Sequence, residues 1–159
     1  MMMPEPAPIA ERELVLERLL DAPAEALFRC WTDAELIKPW FCPPPWRVTE
    51  ARLDARPGGA NYILMEGPEG QKMPNYGLYL EVVPNRKIVF TDAFVKAWEP
   101  GGKPFMVATI TFTPEGDKTR YVARIQHWSK EDRDFHEPMF HGGWGIATDQ
   151  LEKAAQALK

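Results

Sequence analysis

Two polar residues fall where a two-residue alternation would turn them toward an apolar interior, Asp92 and His127. Asp92 continues the parity of Ile88 and Phe90, and side chains two apart on a strand share a face. A carboxylate buried there without a partner has its pKa raised by desolvation, the condition of a general acid or base. The competing reading ends the strand at Thr91 and leaves Asp92 solvated or paired with an arginine. His127 closes a strand pattern on the face of Tyr121, Ala123 and Ile125. It would reach a cavity there as a donor or base, or merely be hydrogen-bonded at the strand end. These two are the candidate catalytic residues, and nothing further completes a catalytic set. His136 and His141, five apart, diverge by about 140° around a helix and belong to no HExxH pattern, so no metal is expected. Cys30 and Cys42 form no CxxC pair and have no zinc-spaced partners. No nucleophile elbow and no phosphate-binding loop is present, and Gly58-Gly59 and Gly101-Gly102 read as turns.

Binding is better represented than catalysis. Pro39-Trp40-Phe41-Cys42-Pro43-Pro44-Pro45-Trp46 cannot form a regular helix or a central strand, because each proline lacks a donor and fixes φ. Its aromatic side chains nevertheless favour burial of ~150–250 Å² apiece. Such a stiff apolar loop either plugs a core or lines the mouth of a cavity. Phe41 and Trp46 are the candidates for the rim of such a mouth. Tyr62, Met65, Tyr79, Phe94, Met139 and Trp144 are further cavity-wall candidates, with ordinary core packing the alternative for each.

The bulk properties narrow the class. A net charge of −4 and no basic stripe argue against nucleic acid. No apolar run approaches the ~18 residues of a membrane span, and the Pro-rich start has no signal-peptide pattern. The expectation is a cytoplasmic protein with a flexible lead-in over residues 1–11 and one domain over 12–159. At 159 residues the chain can build a core without disulfides.

The elements that must position these residues are mostly strands. Residues 13–20 alternate as a first strand. Asp21-Ala22-Pro23 starts a short helix burying Leu27, Cys30 and Trp31, and Ala34–Lys38 reads as a second one. Strand patterns follow at 48–55, 60–66, 76–83, 87–91, 106–113 and 120–128, divided by turn signals such as Arg56-Pro57-Gly58-Gly59 and Pro114-Glu115-Gly116-Asp117. Residues 98–104 read as a loop, and Glu81 and Arg86 as an ion pair across the Pro84-Asn85 turn. Ser129 to Asp132 has capping-box spacing. A long amphipathic helix follows, with an apolar stripe of Phe140, Trp144, Ala147, Leu151, Ala154 and Leu158, broken near Pro138 and Gly142-Gly143. The predicted class is α+β, a curved antiparallel sheet of about seven strands gripping a C-terminal helix.

This order resembles the START-like (SRPBCC, helix-grip) superfamily, which includes polyketide cyclases, and within it the branch of heat-shock chaperone ATPase activator homologues. The matching residues are Asp21-Ala22-Pro23, Trp31-Thr32-Asp33, Trp40-Phe41, Arg56-Pro57-Gly58-Gly59, Glu81 to Arg86, Thr119 and Gly143-Trp144. The resemblance implies a hydrophobic cavity between sheet and helix that takes a small apolar or aromatic molecule, with Trp40 at the family-matching position as a core anchor. No cofactor is expected. Asn61 and Asp92 stand where the family commonly has large apolar residues, which makes Asn61 another ligand-contacting candidate. The alternatives are a cyclase- or hydrolase-like activity on such a ligand, and a chaperone-interaction module of the ATPase-activator type. A homodimer is a separate expectation for the partners.

Overall fold

The computed structural model describes residues 5–158. A 3-10 turn, Ile9–Glu11, leads into strand β1 (Glu13–Leu20), followed by helix α1 (Ala24–Thr32) and strands β2 (Arg47–Leu53), β3 (Ala60–Glu66), β4 (Lys72–Val83) and β5 (Lys87–Thr91). A small hairpin of β6 (Phe94–Lys96) and β7 (Glu99–Pro100) precedes β8 (Met106–Glu115), β9 (Lys118–His127) and helix α2 (Lys130–Gln156). Seven strands form one antiparallel sheet in the order β1-β9-β8-β5-β4-β3-β2. The first strand therefore pairs with the last, which brings the N-terminal segment against the root of α2.

Alternation decides which face is interior. Along β9, Thr119, Tyr121, Ala123, Ile125 and His127 are buried while the residues between them are partly exposed. In β8 the same parity buries Ala108, Ile110 and Phe112. β4 breaks the rule at a bulge between Tyr79 and Glu81, just past Leu78 and Tyr79, which are buried in succession on opposite faces.

Helix α2 packs on β1, β9 and α1. Seven strands span about 30 Å, whereas a helix is about 10 Å wide. The inner face of β3, β4 and β5 must therefore be covered by something else or left partly open.

Several expectations are corrected. Ala34–Lys38 is a series of turns: the Asp33 carboxylate accepts from the N–H of Glu35 and Leu36 at 2.8 and 3.2 Å, and Pro39 follows before a helix can propagate. Pro23 is the N-cap of α1 itself. The expected loop at 98–104 begins inside the β6–β7 hairpin, with Trp98 71% exposed. Helix α2 runs unbroken through Pro138, Gly142 and Gly143, because a proline removes a single intrahelical donor and packing sustains the remainder. Glu81 pairs with Lys87 at 3.0 Å, while Arg86 donates to the Asn85 carbonyl at 2.9 Å. The positive φ of Asn85, 63°, belongs to the tight turn between β4 and β5. The Ser129 cap is present, its Oγ accepting from the Asp132 N–H at 3.1 Å.

Candidate functional site

The uncovered half of the sheet holds two adjoining chambers. The smaller, about 350 Å³, lies over β3, β4 and β5. The larger, about 690 Å³, lies between that region, the Pro/Trp loop and α2. Trp31, Phe41, Asn75, Phe105 and Met106 border both, so these side chains form the partition between them.

The proline-braced loop is anchored as well as stiff. Trp40 is 3% exposed, and its indole N–H donates to the Cys30 carbonyl at 3.1 Å. It meets Trp31 edge-on at 4.9 Å between ring centroids. From α2, the Gln150 amide donates to the carbonyls of Trp40 and Cys42 at 3.0 and 3.1 Å. Held at both sides, the loop presents Phe41 to both chambers. Trp46 borders neither; it is half-buried and packs beside Gly67. Phe94 also borders neither chamber, and stacks edge-on against Trp98 at 5.8 Å. Tyr62 is likewise outside both, its ring covered by the Arg52 guanidinium 4.4 Å from the centroid.

In the smaller chamber, Tyr79 is 3% exposed and burial pushes its phenol up from the ordinary tyrosine range. The turn before β3 is hooked to its backbone, through Gly58 N–H to Tyr79 O at 2.8 Å and Tyr79 N–H to Gly59 O at 2.9 Å. A Cβ at Gly59 would fall 1.8 Å from the Asp54 carbonyl oxygen, so only glycine lets the turn close. Asn61 lies opposite Gly77 in the register, and its Oδ1 occupies space that a Cβ on Gly77 would need, 2.6 Å away. Asp92 does border this chamber. Its carboxylate, however, accepts from the N–H groups of Phe105 and Met106 at 2.9–3.2 Å. That arrangement fixes the start of β8 and occupies the carboxylate in the fold.

The larger chamber is lined by Met65, Met73, Met106 and Met139, all the methionines among the described residues. Trp144, Gly142 and Gly143 supply the α2 wall. A Cβ at either glycine would meet nothing within 4 Å, so the glycine pair widens the chamber. Unbranched, polarizable methionine side chains can repack around ligands of different shape.

His127 is fully buried and does not border either chamber. Its Nδ1 lies 2.9 Å from the Arg12 carbonyl oxygen and its Nε2 lies 2.8 Å from Nδ1 of His136. Between His127 and the larger chamber stands His136, which does border it. Burial lowers the pKa of His127, and burial with the neighbouring His127 lowers that of His136 to about 4. The pairing escaped the sequence because nine residues and a change of element separate the two rings. Met106 was legible from the inward parity of Ala108, Ile110 and Phe112; Phe105, one residue outside β8, carried no such signal.

No nucleophile is prepared. Burial pushes the Cys30 thiol up to about 11 and raises that of Cys42 as well, which keeps both protonated. Among the described residues, no three His, Cys, Asp or Glu side chains gather as a metal site, and no helix is long and apolar enough to cross a membrane.

Known proteins share this architecture. A crystal structure of a protein from Nitrosomonas europaea is 41% identical, covering 92% of this chain and 96% of that one, with a TM-score of 0.88. A Rhodobacter sphaeroides protein superposes at a TM-score of 0.82 with 19% identity, covering 98% and 99% of the two chains. The AHSA1-like protein from Aeromonas hydrophila superposes at 0.72 with 16% identity, covering 91% and 92%; at such identities these two likenesses concern the fold alone. No curated protein matches the chain. The family model described as Activator of Hsp90 ATPase homolog 1-like protein matches residues 21–156, from just before α1 to the end of α2. With a match that spans both helices and nearly the whole sheet, the chain belongs to the Activator of Hsp90 ATPase homolog 1-like family.

Proposed function

We propose that this protein binds a small apolar or aromatic molecule in the paired chambers between sheet and helix. The observation that carries this reading is the space itself, about 350 and 690 Å³ in adjoining chambers. Ligand sites commonly fall within about 300–1,000 Å³ and have mostly apolar walls with a few fixed polar groups. Tyr79, Asn61, Asn75 and His136 are those polar groups here. The binding reading is favoured over a cyclase- or hydrolase-like one by the state of the candidate chemistry. Asp92 is held by two backbone N–H groups, and His127 is sealed behind His136.

A thermal-shift screen of apolar and aromatic compounds tests the reading. A ligand at about 100 times its Kd stabilises the fold by ~2.7 kcal/mol, a rise in melting temperature of several degrees at this size. A screen in which no such compound raises the melting temperature contradicts it.

A further inference from the structure

The hydrogen-bond chain that ends at His136 has a fixed direction. The Arg12 carbonyl can only accept, so the Nδ1 of His127, 2.9 Å away, carries the proton. In the neutral ring Nε2 is then a bare acceptor, and Nδ1 of His136 must donate to it across 2.8 Å. That leaves Nε2 of His136 with a lone pair. Burial disfavours protonation of both rings, which holds this tautomer at neutral pH. Phe105 and Phe140, with centroids 5.4 Å from His136, pack edge-on around the ring. Among the described residues Nε2 of His136 has no partner, yet the one side-chain nitrogen or oxygen sealed away without one is Thr49 Oγ1. Nε2 is therefore accessible on a residue that borders the larger chamber.

Asn75 adds a second acceptor. Its amide nitrogen donates to the carbonyls of Ile63 and Met73 at 3.2 and 3.1 Å, which fixes the amide orientation and leaves Oδ1 without a partner among the described residues. The indole N–H groups of Trp31 and Trp40 are committed to Tyr121 and Cys30, and that of Trp144 is not. Among the described residues, no Lys, Arg, Asp or Glu borders the chamber. An anion there would face lone pairs with no counter-charge, and a cation would lose its hydration with no carboxylate to replace it.

We propose that the larger chamber selects a neutral, hydroxyl-bearing aromatic molecule, of the phenol or naphthol class, whose O–H donates to Nε2 of His136. This rests on the binding reading above and gives one of its polar groups, His136, a defined partner atom on the ligand. His127 acts through His136, as a positioning residue that holds its tautomer.

The test is calorimetric titration at pH 7 with 2-naphthol, naphthalene and 2-naphthoate, on the wild type and on His136→Phe. A hydrogen bond made in a dry site in place of water contributes about tenfold in affinity. The expected order is 2-naphthol about tenfold tighter than naphthalene, with 2-naphthoate weakest. In His136→Phe the ratio of 2-naphthol to naphthalene affinity should fall to about one, whatever the two absolute affinities become. Equal binding of naphthol and naphthalene, a preference that survives His136→Phe, or tightest binding of naphthoate overturns the selection while leaving the cavity reading intact. Binding of none of the three overturns both. Should His136→Phe fail to melt cooperatively, the wild-type ranking of the three probes decides alone.

Discussion

The two histidines illustrate how a residue's role is set by what seals it. His127 had the inward parity of a cavity residue, but the N-terminal segment and His136 take both of its ring nitrogens. The imidazole that borders the chamber is its partner on α2. Such a pair makes stability pH-dependent with a definite sign. His136 is held at about 4 when folded against about 6.5 when unfolded, so the unfolded chain binds more protons between those values. Stability is present above about 6.5 and is lost as pH falls toward about 4. Asp132 and Arg133 also face the pair, the first raising and the second lowering the His127 pKa. His136→Phe should remove on the order of 2 kcal/mol of the acid-side loss. Urea denaturation at pH 7 and pH 4.5 measures it, and an unchanged difference between the two pH values would show that the pair is not responsible. Asp92 gives a second residue-scale prediction. With its carboxylate on the Phe105 and Met106 N–H groups, Asp92→Ala should cost about 2 kcal/mol and Asp92→Asn less, as read from thermal melts. Parity alone placed Asp92 at the cavity but could not reveal the two amides, which lie thirteen and fourteen residues further along the chain.

At the scale of elements, the sequence was most legible where one period ran without interruption. β9 alternates over its whole length, and its inward face was read without error. β3 and β5 have the boundaries that their flanking turn residues announced. Legibility failed at short or interrupted segments. The Ala34–Lys38 region has helix-compatible residues but too few before Pro39, and Asp33 caps a turn there in place of a helix. In α2, Pro138 and the glycine pair read as interruptions because propensity was weighed without the sheet that holds the helix down. Gly142 and Gly143 are the costly residues of that helix, and a Cβ has room at both. Gly142→Ala and Gly143→Ala should each stabilise the fold by about 0.5–1 kcal/mol while weakening ligand binding, because the added methyls enter the larger chamber. Melting and titration of the same variants measure both; tighter binding by either would contradict the role given to the glycines. At the start of the helix, Ser129→Ala should cost about 1 kcal/mol through loss of the bond to the Asp132 N–H, with ligand affinity unaffected.

For the molecule as a whole, the architecture followed from counting. About seven strands and one long helix cannot close an interior without help, because the helix covers β1 and β9 and leaves β3, β4 and β5 bare. The Pro39–Trp46 loop supplies part of the cover, tied to α2 by Gln150 and to α1 by Trp40. What remains is the pair of chambers. Their existence was legible in the sequence through the element order and the family resemblance. Their walls were only partly so: Phe41, Asn61, Met65, Tyr79, Asp92, Met139 and Trp144 do border them, whereas Trp46, Tyr62, Phe94 and His127 do not. Those four lie outside the walls because Gly67, Arg52, a neighbouring aromatic or the N-terminal segment already packs against them. The central claim, occupancy of this space by an aromatic molecule, has a direct reporter in the four methionines that line the larger chamber. The measurement is a methyl NMR titration of methionine-labelled protein with 2-naphthol. An aromatic ring inside the chamber predicts saturable ring-current shifts at Met65, Met73, Met106 and Met139 together. Methyl resonances of all four that stay in place at concentrations where the compound raises the melting temperature would contradict the account, because the ligand would then be bound elsewhere.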